Sequence, residues 1–242
     1  MSRMKCELLP MEGAFNVRDL GGYPGAGGRV LRKRRFIRAG SLSNLTEKGK
    51  ADMLALGIDC IVDLRSTREV TVAPDTLPEG AGIDRFHIPM LDYIQSNIIS
   101  GDYSTFPTSM PEMYRGLLDG GQDDLLRVFR VFADPRYNTV LFHCTAGKDR
   151  TGITAMLLLL LAGVGEEDVV EDYSWSERLI APLETAESDP NVPPYVFSSS
   201  PENMQEAVSH LAKCYGSARD YLSKAGLTPE EQARITAKLL GR

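Results

Sequence analysis

Short apolar runs recur along the first two thirds of the chain, and each is too short for a typical helix. Residues 58–64, 84–90 and 138–144 each have an apolar centre flanked by polar or turn-forming residues. Runs of this length and composition are typical of buried strands. The glycine-rich stretch 15–30 indicates turns around short strands near the start of the chain.

The segments between these runs carry the signals that begin and end helices. Thr46 and Gly57 bracket one predicted helix, and Ser66 and Glu69 stand in the spacing of a capping box. Gly120–Gly121 divides a helical stretch over 112–133 into two. The remaining predicted helices cover 150–163 and 166–187, and two more open at Ser200-Pro201 and at Thr228.

The order of these elements predicts the fold class. Strands and helices alternate at first, and only helices follow, which is the pattern of an α/β domain with a central, mainly parallel sheet flanked by helices. We expect a single domain over residues 1–242. The helical part from about residue 187 is then either a lid or a packing extension of that domain.

Composition and charge restrict the function classes. The 242 residues are 43% hydrophobic and 25% charged, as in ordinary globular proteins, and the net charge of −6 argues against general nucleic-acid binding. The longest apolar run, 153–164, is too short to span a bilayer, although contact with a membrane surface stays open. The N-terminus shows no signal peptide, so we expect a cytoplasmic protein, with unconventional secretion left open.

The cysteines and the basic residues are weaker signals. Four cysteines are widely scattered, without the paired spacing of a zinc or redox site, and we expect reduced thiols. Cys60 is a candidate resolving thiol for Cys144, but a buried core cysteine is the preferred interpretation. The basic run from Arg29 to Arg38 is interpreted as a solvated strand face, with a basic rim for phosphate or anionic lipid as the alternative.

The stretch "HCTAGKDRTG", His143–Gly152, lies between a predicted strand and a predicted helix. The first amides of a helix lack intrahelical partners and the helix dipole is positive there, so such a loop is an anion site. Gly147 lets the backbone bend so that several N–H groups point inward. Arg150 can grip two phosphate oxygens, and Lys148 adds a second positive charge.

The same loop suits a nucleophilic cysteine. A thiol at Cys144, surrounded by donors and beside two cations, is expected to ionise readily and to attack a bound phosphorus. Thr151 is in a position to donate a hydrogen bond to the sulfur, and His143 is expected to hold the loop backbone. Because the loop itself supplies the positive charge, no metal and no cofactor are expected. The pattern of an ATP-binding P-loop is absent, since Asp149 follows Lys148.

The loop resembles the phosphate-binding loop of the cysteine-dependent protein-tyrosine and dual-specificity phosphatases, and its Gly-Lys-Asp-Arg core resembles a bacterial and fungal branch. "NVRDLGG", "VDLRSTRE", "HIPMLD" and "EDYSWSERL" follow the order expected for that branch. The resemblance implies a tyrosine-phosphatase-like fold, with Cys144 as nucleophile and Arg150 as phosphate clamp. It also implies that the substrate phosphate is bound by the loop residues Thr145, Ala146, Gly147, Lys148, Asp149 and Arg150.

The general acid is not evident, because the chain lacks the Trp-Pro-Asp tripeptide that many relatives use. Asp149 is closest to the chemistry, although neighbouring cations favour its ionised form and it could simply cap the helix. Asp63 ends a strand at the same sheet edge as Cys144, with a salt bridge to Arg65 or Arg68 as its alternative role. Asp92 is a third candidate. We rank Asp149 first and Asp63 second.

These residues predict a phosphatase that acts through a cysteinyl-phosphate. Phosphotyrosine in proteins is the expected substrate, and phosphoinositides or dual specificity are the alternatives, with Lys148 as a headgroup cation. A non-catalytic phosphate-binding module and a sulfur-transfer enzyme are the rival classes. Five aromatic residues are candidates for a pocket wall: Tyr93, Phe106, Tyr114, Trp175 and Tyr195.

Overall fold

The computed structural model describes residues 7–90, 107–184 and 194–241. Its sheet has five strands in the order β1-β2-β5-β3-β4, and every neighbouring pair is parallel except β1 with β2. The predicted mainly parallel sheet is therefore confirmed. The strands are β1 Arg18–Asp19, β2 Phe36–Ala39, β3 Cys60–Asp63, β4 Asp84–His87 and β5 Val140–His143.

Three of the four N-caps that the sequence predicts form a side-chain hydrogen bond. They are Thr46, Ser66 and Thr228, whereas Ser200 begins its helix without such a bond. The hydroxyl of Thr46 accepts from the Gly49 amide, and Ser66 with Glu69 forms the expected capping box. The described helices are α1 Glu47–Ala55, α2 Thr67–Val72, α3 Met110–Gly120, α4 Gln122–Ala133, α5 Asp149–Leu161, α6 Glu166–Glu184, α7 Pro201–Tyr215, α8 Ala218–Ala225 and α9 Pro229–Leu240, with 3-10 turns at Ala26–Gly28 and Pro194–Phe197.

Two apolar layers enclose the three central strands β2, β3 and β5, which explains why these strands are buried and largely apolar on both faces. Side chains such as Val62 and Phe142 pack against helices α3 to α9 in the larger layer. Their neighbours Ile61 and Leu141 point to the opposite face and pack with Met53 of α1. The strand period of two residues thus assigns alternate positions to the two layers.

The described C-terminal helices pack into the larger layer. Met204 of α7, Leu222 of α8 and Ile235 of α9 are fully buried there. Among the described helices, none is both long enough and apolar enough to cross a bilayer.

The interpretation of the basic run is wrong at its end. Arg38 lies in β2 and is fully buried, so it is neither a solvated strand residue nor part of an exposed rim. The earlier part of the run precedes β2 and therefore lies toward the amino edge of the parallel strands. Lys33, for example, pairs there with Glu7 at 2.8 Å.

The hypothesis that Cys60 resolves an oxidised Cys144 is also wrong. Cys60 pairs with Val140 in the sheet register, so Cys144 lies four residues further along β5 and its loop, about 13 Å away. Burial and the nearby carboxylate of Asp59 raise the pKa of the Cys60 thiol to about 12. Cys60 is therefore a core cysteine, as the preferred interpretation holds.

Candidate active site

The loop that follows β5 lies at the carboxyl edge of the parallel strands. Cys144 comes directly after β5 and is only 1% exposed, and α5 begins five residues later at Asp149. No side chain caps the start of α5 by a hydrogen bond. The first amides of the helix are therefore left for a ligand, and the helix dipole favours an anion there.

Gly147 makes the bend of the loop possible. Its φ is +66°, a conformation that L-residues with side chains rarely adopt. A Cβ at this position would also lie 2.4 Å from the carbonyl oxygen of Ala39, in β2. Only glycine satisfies both the backbone angle and the close approach of β2.

Hydrogen bonds from Asn16 and Arg38 hold two loop carbonyls on one side of the loop, which we call its back. The Asn16 amide nitrogen donates to Ala146 O and Gly147 O, both at 3.0 Å, and Arg38 Nη2 donates to Gly147 O at 2.8 Å. Because each peptide unit is planar and trans, a carbonyl that points backward places the following N–H on the opposite side. The amides of Gly147 and Lys148 therefore face the opposite side of the loop, which we call its front.

A buried ion cluster fixes Arg38. Asp172 of α6 binds Arg18 Nε at 3.0 Å and Arg38 Nη1 at 2.5 Å, and all three side chains are at most 1% exposed. Burial alone would raise the pKa of Asp172, but the two guanidinium groups outweigh it and lower that pKa. We call Arg18, Arg38 and Asp172 the back cluster. The sequence motifs that contain Arg18 and Asp172 gave no role for either residue.

On the front of the loop, Glu69 holds the Arg150 guanidinium by two parallel hydrogen bonds. The Arg150 Nη1–Glu69 Oε2 distance is 2.6 Å and the Nη2–Oε1 distance is 2.8 Å. Burial alone would raise the pKa of Glu69, but the hydrogen bonds and charge of Arg150 outweigh it and lower that pKa to about 2. Glu69 also accepts from the Thr145 hydroxyl and the Ser66 amide. Sequence reasoning found the capping role but missed the contact with Arg150.

The Lys148 side chain departs from its predicted role. Its ammonium group donates to Val196 O at 2.5 Å and Ser198 O at 2.9 Å, and it lies 3.3 Å from Asp149 Oδ1. The side chain is 2% exposed. The ammonium group therefore binds the segment before α7, whereas only the Lys148 backbone amide is directed into the loop.

Asp149 is linked to two buried tyrosines. Tyr114 donates to Asp149 Oδ1 at 2.7 Å, and the Tyr114 and Tyr173 hydroxyls are 2.6 Å apart. Burial and the nearby Asp149 carboxylate raise the pKa of Tyr114 well above its usual value, so this hydroxyl keeps its proton. Within the described part of the chain, no hydrogen bond reaches Asp149 Oδ2.

Asp63 lies at the predicted sheet edge, but its carboxylate is bound by Arg65. Arg65 donates to both of its carboxylate oxygens, from Nε at 2.9 Å and from Nη2 at 2.7 Å. Burial alone would raise the pKa of Asp63, but Arg65 and His143 lower it. This arrangement favours the salt bridge that the sequence left as an alternative, and it makes Asp63 a poor proton donor. Asp92, the third candidate, lies outside the described residues.

His143 belongs to a cluster beneath the loop. Its Nδ1 lies 3.3 Å from Cys144 O and its Nε2 lies 3.2 Å from Asp75 Oδ2, which fits the predicted supporting role. Asp63, Asp75 and His143 offer ligand atoms within 4.8 Å of one another. However, Arg65 already binds both carboxylates, and its charge would repel a metal ion at this place.

The remaining candidates are Thr151 and the predicted pocket aromatics, and they do not all lie near the loop. Thr151 is fully buried and its hydroxyl has no hydrogen-bond partner within the described ranges. Tyr195 donates to Pro107 O beside the segment that Lys148 binds. Trp175 lines a cavity of about 470 Å³ on α6, and none of the residues around that cavity belongs to the loop. Tyr93 and Phe106 lie outside the described residues.

Comparison with known proteins identifies the family of this chain. A family model described as the tyrosine phosphatase family matches residues 9–241. A tyrosine-protein phosphatase of Nostoc commune is 30% identical over 218 residues, covering 84% of this chain and 74% of that protein. The triple specificity protein phosphatase PtpB of Mycobacterium tuberculosis is 30% identical over 277 residues, covering 96% of this chain and 98% of that protein. The protein is therefore a cysteine-dependent phosphatase, and the chain belongs to the tyrosine phosphatase family.

Proposed function

We propose that the protein hydrolyses phosphotyrosine in proteins through a cysteinyl-phosphate on Cys144. One observation carries this proposal. Cys144 lies at the base of a loop whose carbonyls at Ala146 and Gly147 are held backward, so that the following amides face forward. A phosphate bound to these amides and to Arg150 places its phosphorus next to the sulfur.

The first chemical step transfers the phosphoryl group to the protein. The Cys144 thiolate forms the S–P bond while the bond from phosphorus to the tyrosyl oxygen breaks. The loop amides and Arg150 bind the non-bridging oxygens, where charge is concentrated in the transition state. Arg150 retains donors for this purpose, because Glu69 uses one hydrogen from each terminal nitrogen and the guanidinium has five N–H groups.

Asp149 is the best-supported general acid for the leaving oxygen. Its Oδ1 is held by Tyr114, whereas its Oδ2 has no hydrogen bond within the described residues. An oxygen in that state can carry a proton to the leaving group. A protonated acid matters more for alkyl phosphates, whose leaving groups are poor, so Asp149→Asn is expected to reduce alkyl turnover more than aryl turnover. An unchanged ratio of the two rates would remove Asp149 from this role.

The second step returns the cysteine. A water molecule attacks phosphorus, the S–P bond breaks, and the Asp149 carboxylate accepts the proton of the water. The Thr151 hydroxyl, which is buried and has no hydrogen-bond partner among the described residues, is proposed to donate to the departing sulfur. The products are inorganic phosphate and the free thiolate, which completes the cycle without a redox change.

Phosphotyrosine is preferred to phosphoinositides because of where Lys148 lies. The phosphoinositide alternative assigned its ammonium group to the lipid headgroup, but that group binds the carbonyls of Val196 and Ser198. The triple specificity in the name of the Mycobacterium tuberculosis relative keeps broader specificity as the second candidate. Values of kcat/KM for phosphotyrosine peptides, phosphoserine peptides and phosphoinositide vesicles would rank the three, and we expect the tyrosine peptides to lead.

The first test is hydrolysis of p-nitrophenyl phosphate with EDTA present, comparing the wild type with Cys144→Ser. We expect turnover by the wild type and none by the variant. Absence of turnover by the folded wild type on this substrate and on phosphotyrosine peptides would instead support the non-catalytic phosphate-binding module.

A further inference from the structure

A second cysteine lies within a linked set of polar side chains far from the loop. Cys214 Sγ is 3.6 Å from His210 Nδ1, and His210 Nε2 is 2.8 Å from Asp119 Oδ1. His210 and Cys214 are one helical turn apart on α7, whereas Asp119 belongs to the last turn of α3. The cysteine is exposed, and the histidine side chain is 16% exposed.

The contact with Asp119 determines which imidazole nitrogen faces the thiol as an acceptor. Asp119 accepts from Nε2–H, so in the neutral ring Nδ1 carries the lone pair that can accept the S–H proton. Burial alone would raise the pKa of Asp119, but the hydrogen bonds from His210 and Tyr215 lower it. The ionised carboxylate then stabilises the imidazolium that forms when the thiol proton moves.

We propose that Cys214 is a second reactive thiol of this protein, a modification site at which low-molecular-weight disulfides form mixed disulfides with His210 as the base. The three side chains stand in the order thiol, imidazole and carboxylate, in which a carboxylate orients the base and the base activates the nucleophile. The phosphatase reaction uses none of them.

The charges around this site act in both directions. Tyr215 also donates to Asp119, at 2.7 Å, and Lys224 of α8 lies 4.9 Å from the centre of the Tyr215 ring. Arg115 also stabilises the ionised Asp119 carboxylate. The carbonyl end of α7, by contrast, disfavours a negative charge at this place. The hydrogen-bonded His210 is therefore the group on which the reactivity depends.

Cys214 is independent of the catalytic thiol. Met204, near the start of α7, packs against α5, the helix that follows the loop. Its Cε lies 3.7 Å from the position that a Cβ on Gly152 would occupy. Cys214 is ten residues after Met204 in α7, which places it about 15 Å from Met204 along the helix axis. Among the cysteines that the structure describes, Cys60 and Cys144 are buried and Cys214 alone is exposed.

The small disulfide is itself the oxidant in the proposed reaction, so no other oxidant is needed. His210 Nδ1 takes the thiol proton, and the Cys214 sulfur attacks one sulfur of the small disulfide. The new S–S bond forms as the old one breaks, and the departing thiolate takes the proton from His210. The cysteine is oxidised, and one half of the small disulfide is reduced to a thiol.

Oxidised glutathione is the probe for the test, with Cys144→Ser as the background so that the catalytic thiol does not react. Peptide mass spectrometry follows the adduct on Cys214 over time at several pH values. We expect His210→Gln to slow the adduct by about tenfold at neutral pH, because a thiol without an adjacent base is only about a few per cent thiolate there. The wild-type rate is also expected to begin its rise at lower pH than the variant rate.

The control is Lys213→Gln, which removes a neighbouring positive charge but leaves His210 in place. We expect it to change the rate by less than about twofold, because screening makes exposed charges weak. Equal rates in the background protein and His210→Gln would overturn the proposal, as would a Cys214–Cys214 dimer in place of the mixed disulfide. Phosphatase activity of His210→Gln with Cys144 intact reports that the variant is folded.

Discussion

The back and the front of the catalytic loop are both held by arginine–carboxylate pairs, but the two environments differ. At the back, Arg38 and Asp172 are at most 1% exposed and pair with each other, and Arg38 also donates to the carbonyl of Gly147 in the loop. At the front, the Arg150 and Glu69 side chains are 10% and 19% exposed, and the guanidinium group of Arg150 must also bind substrate. The back pair sets the direction of the amides before a ligand arrives, whereas the front pair positions a group that takes part in the reaction. Substitutions at the back should therefore change stability most, and substitutions at the front should change turnover most.

The largest expected effect is the loss of stability in Asp172→Asn. This substitution leaves two buried guanidinium groups without a carboxylate, and breaking a buried ion pair in this way costs about 3–5 kcal/mol. Urea unfolding measures the difference. The matched control is Glu7→Gln, which removes an exposed pair with Lys33 and should cost less than about 1 kcal/mol. Equal losses in the two variants would contradict the role of the back cluster.

Next in size is the loss of turnover in Arg150→Lys. An ammonium group is a point charge and cannot reproduce two parallel hydrogen bonds to phosphate while Glu69 is also bound. We expect kcat to fall by about 10²–10³-fold, the usual cost of losing one transition-state donor. The free energy of unfolding should change less than in Asp172→Asn. A variant that unfolds more readily but keeps its kcat would reverse the assignment of front and back.

Glu69→Gln tests whether the carboxylate only positions the guanidinium. Losing one charge-assisted contact is expected to reduce kcat/KM by about 10- to 100-fold, the equivalent of about 1.5–3 kcal/mol for hydrogen bonds to charged groups. If Glu69 instead competed with the phosphate for Arg150, the variant would bind phosphate more tightly and KM would fall. Steady-state kinetics on p-nitrophenyl phosphate distinguishes the two.

The pKa of Glu69 predicts a pH dependence of stability. A carboxyl whose pKa falls from 4.5 to about 2 on folding contributes stability that is fully present above about pH 4.5. That contribution, about 3 kcal/mol for a shift of this size, is lost as the pH falls through 2. The difference in unfolding free energy between the wild type and Glu69→Gln should therefore shrink between about pH 5 and pH 3. A constant difference would show that the Glu69 pKa is not lowered.

The smallest effect is expected at Tyr114→Phe. Losing one hydrogen bond to Asp149 should cost about 0.5–1.5 kcal/mol, which is roughly a 2- to 10-fold fall in kcat, larger for alkyl than for aryl phosphates. Tyr221→Phe is the matched control, because it removes a buried hydroxyl that donates to Leu118 O and lies away from Asp149. A similar change in the alkyl-to-aryl ratio in both variants would show that Tyr114 has no specific role.

The sequence predicted the front of the site far better than the back. Cys144, Gly147 and Arg150 lie within seven residues, so their joint meaning can be read from one short stretch. Arg38 and Asp172 are 134 residues apart, and neither residue by itself indicates the other. Periodicity assigns a strand position to Arg38 but cannot show that a distant carboxylate makes its burial favourable.

Two predictions show how a correct location differs from a correct role. Asp63 lies at the expected sheet edge, but Arg65, two residues further on, neutralises it. Lys148 lies in the loop as expected, but its ammonium group binds carbonyls about fifty residues away. Strand order and loop position follow from local pattern, whereas the partner of a charged side chain depends on tertiary contacts that the pattern does not contain.

In the proposed mechanism, the phosphoryl group passes through the Cys144 sulfur. The most direct measurement is rapid-quench mass spectrometry of the wild type mixed with p-nitrophenyl phosphate. We expect a transient phosphate adduct on the peptide that contains Cys144, formed together with the first equivalent of p-nitrophenol and absent from Cys144→Ser. Turnover with no adduct on that peptide, or with the adduct on another residue, would contradict this mechanism.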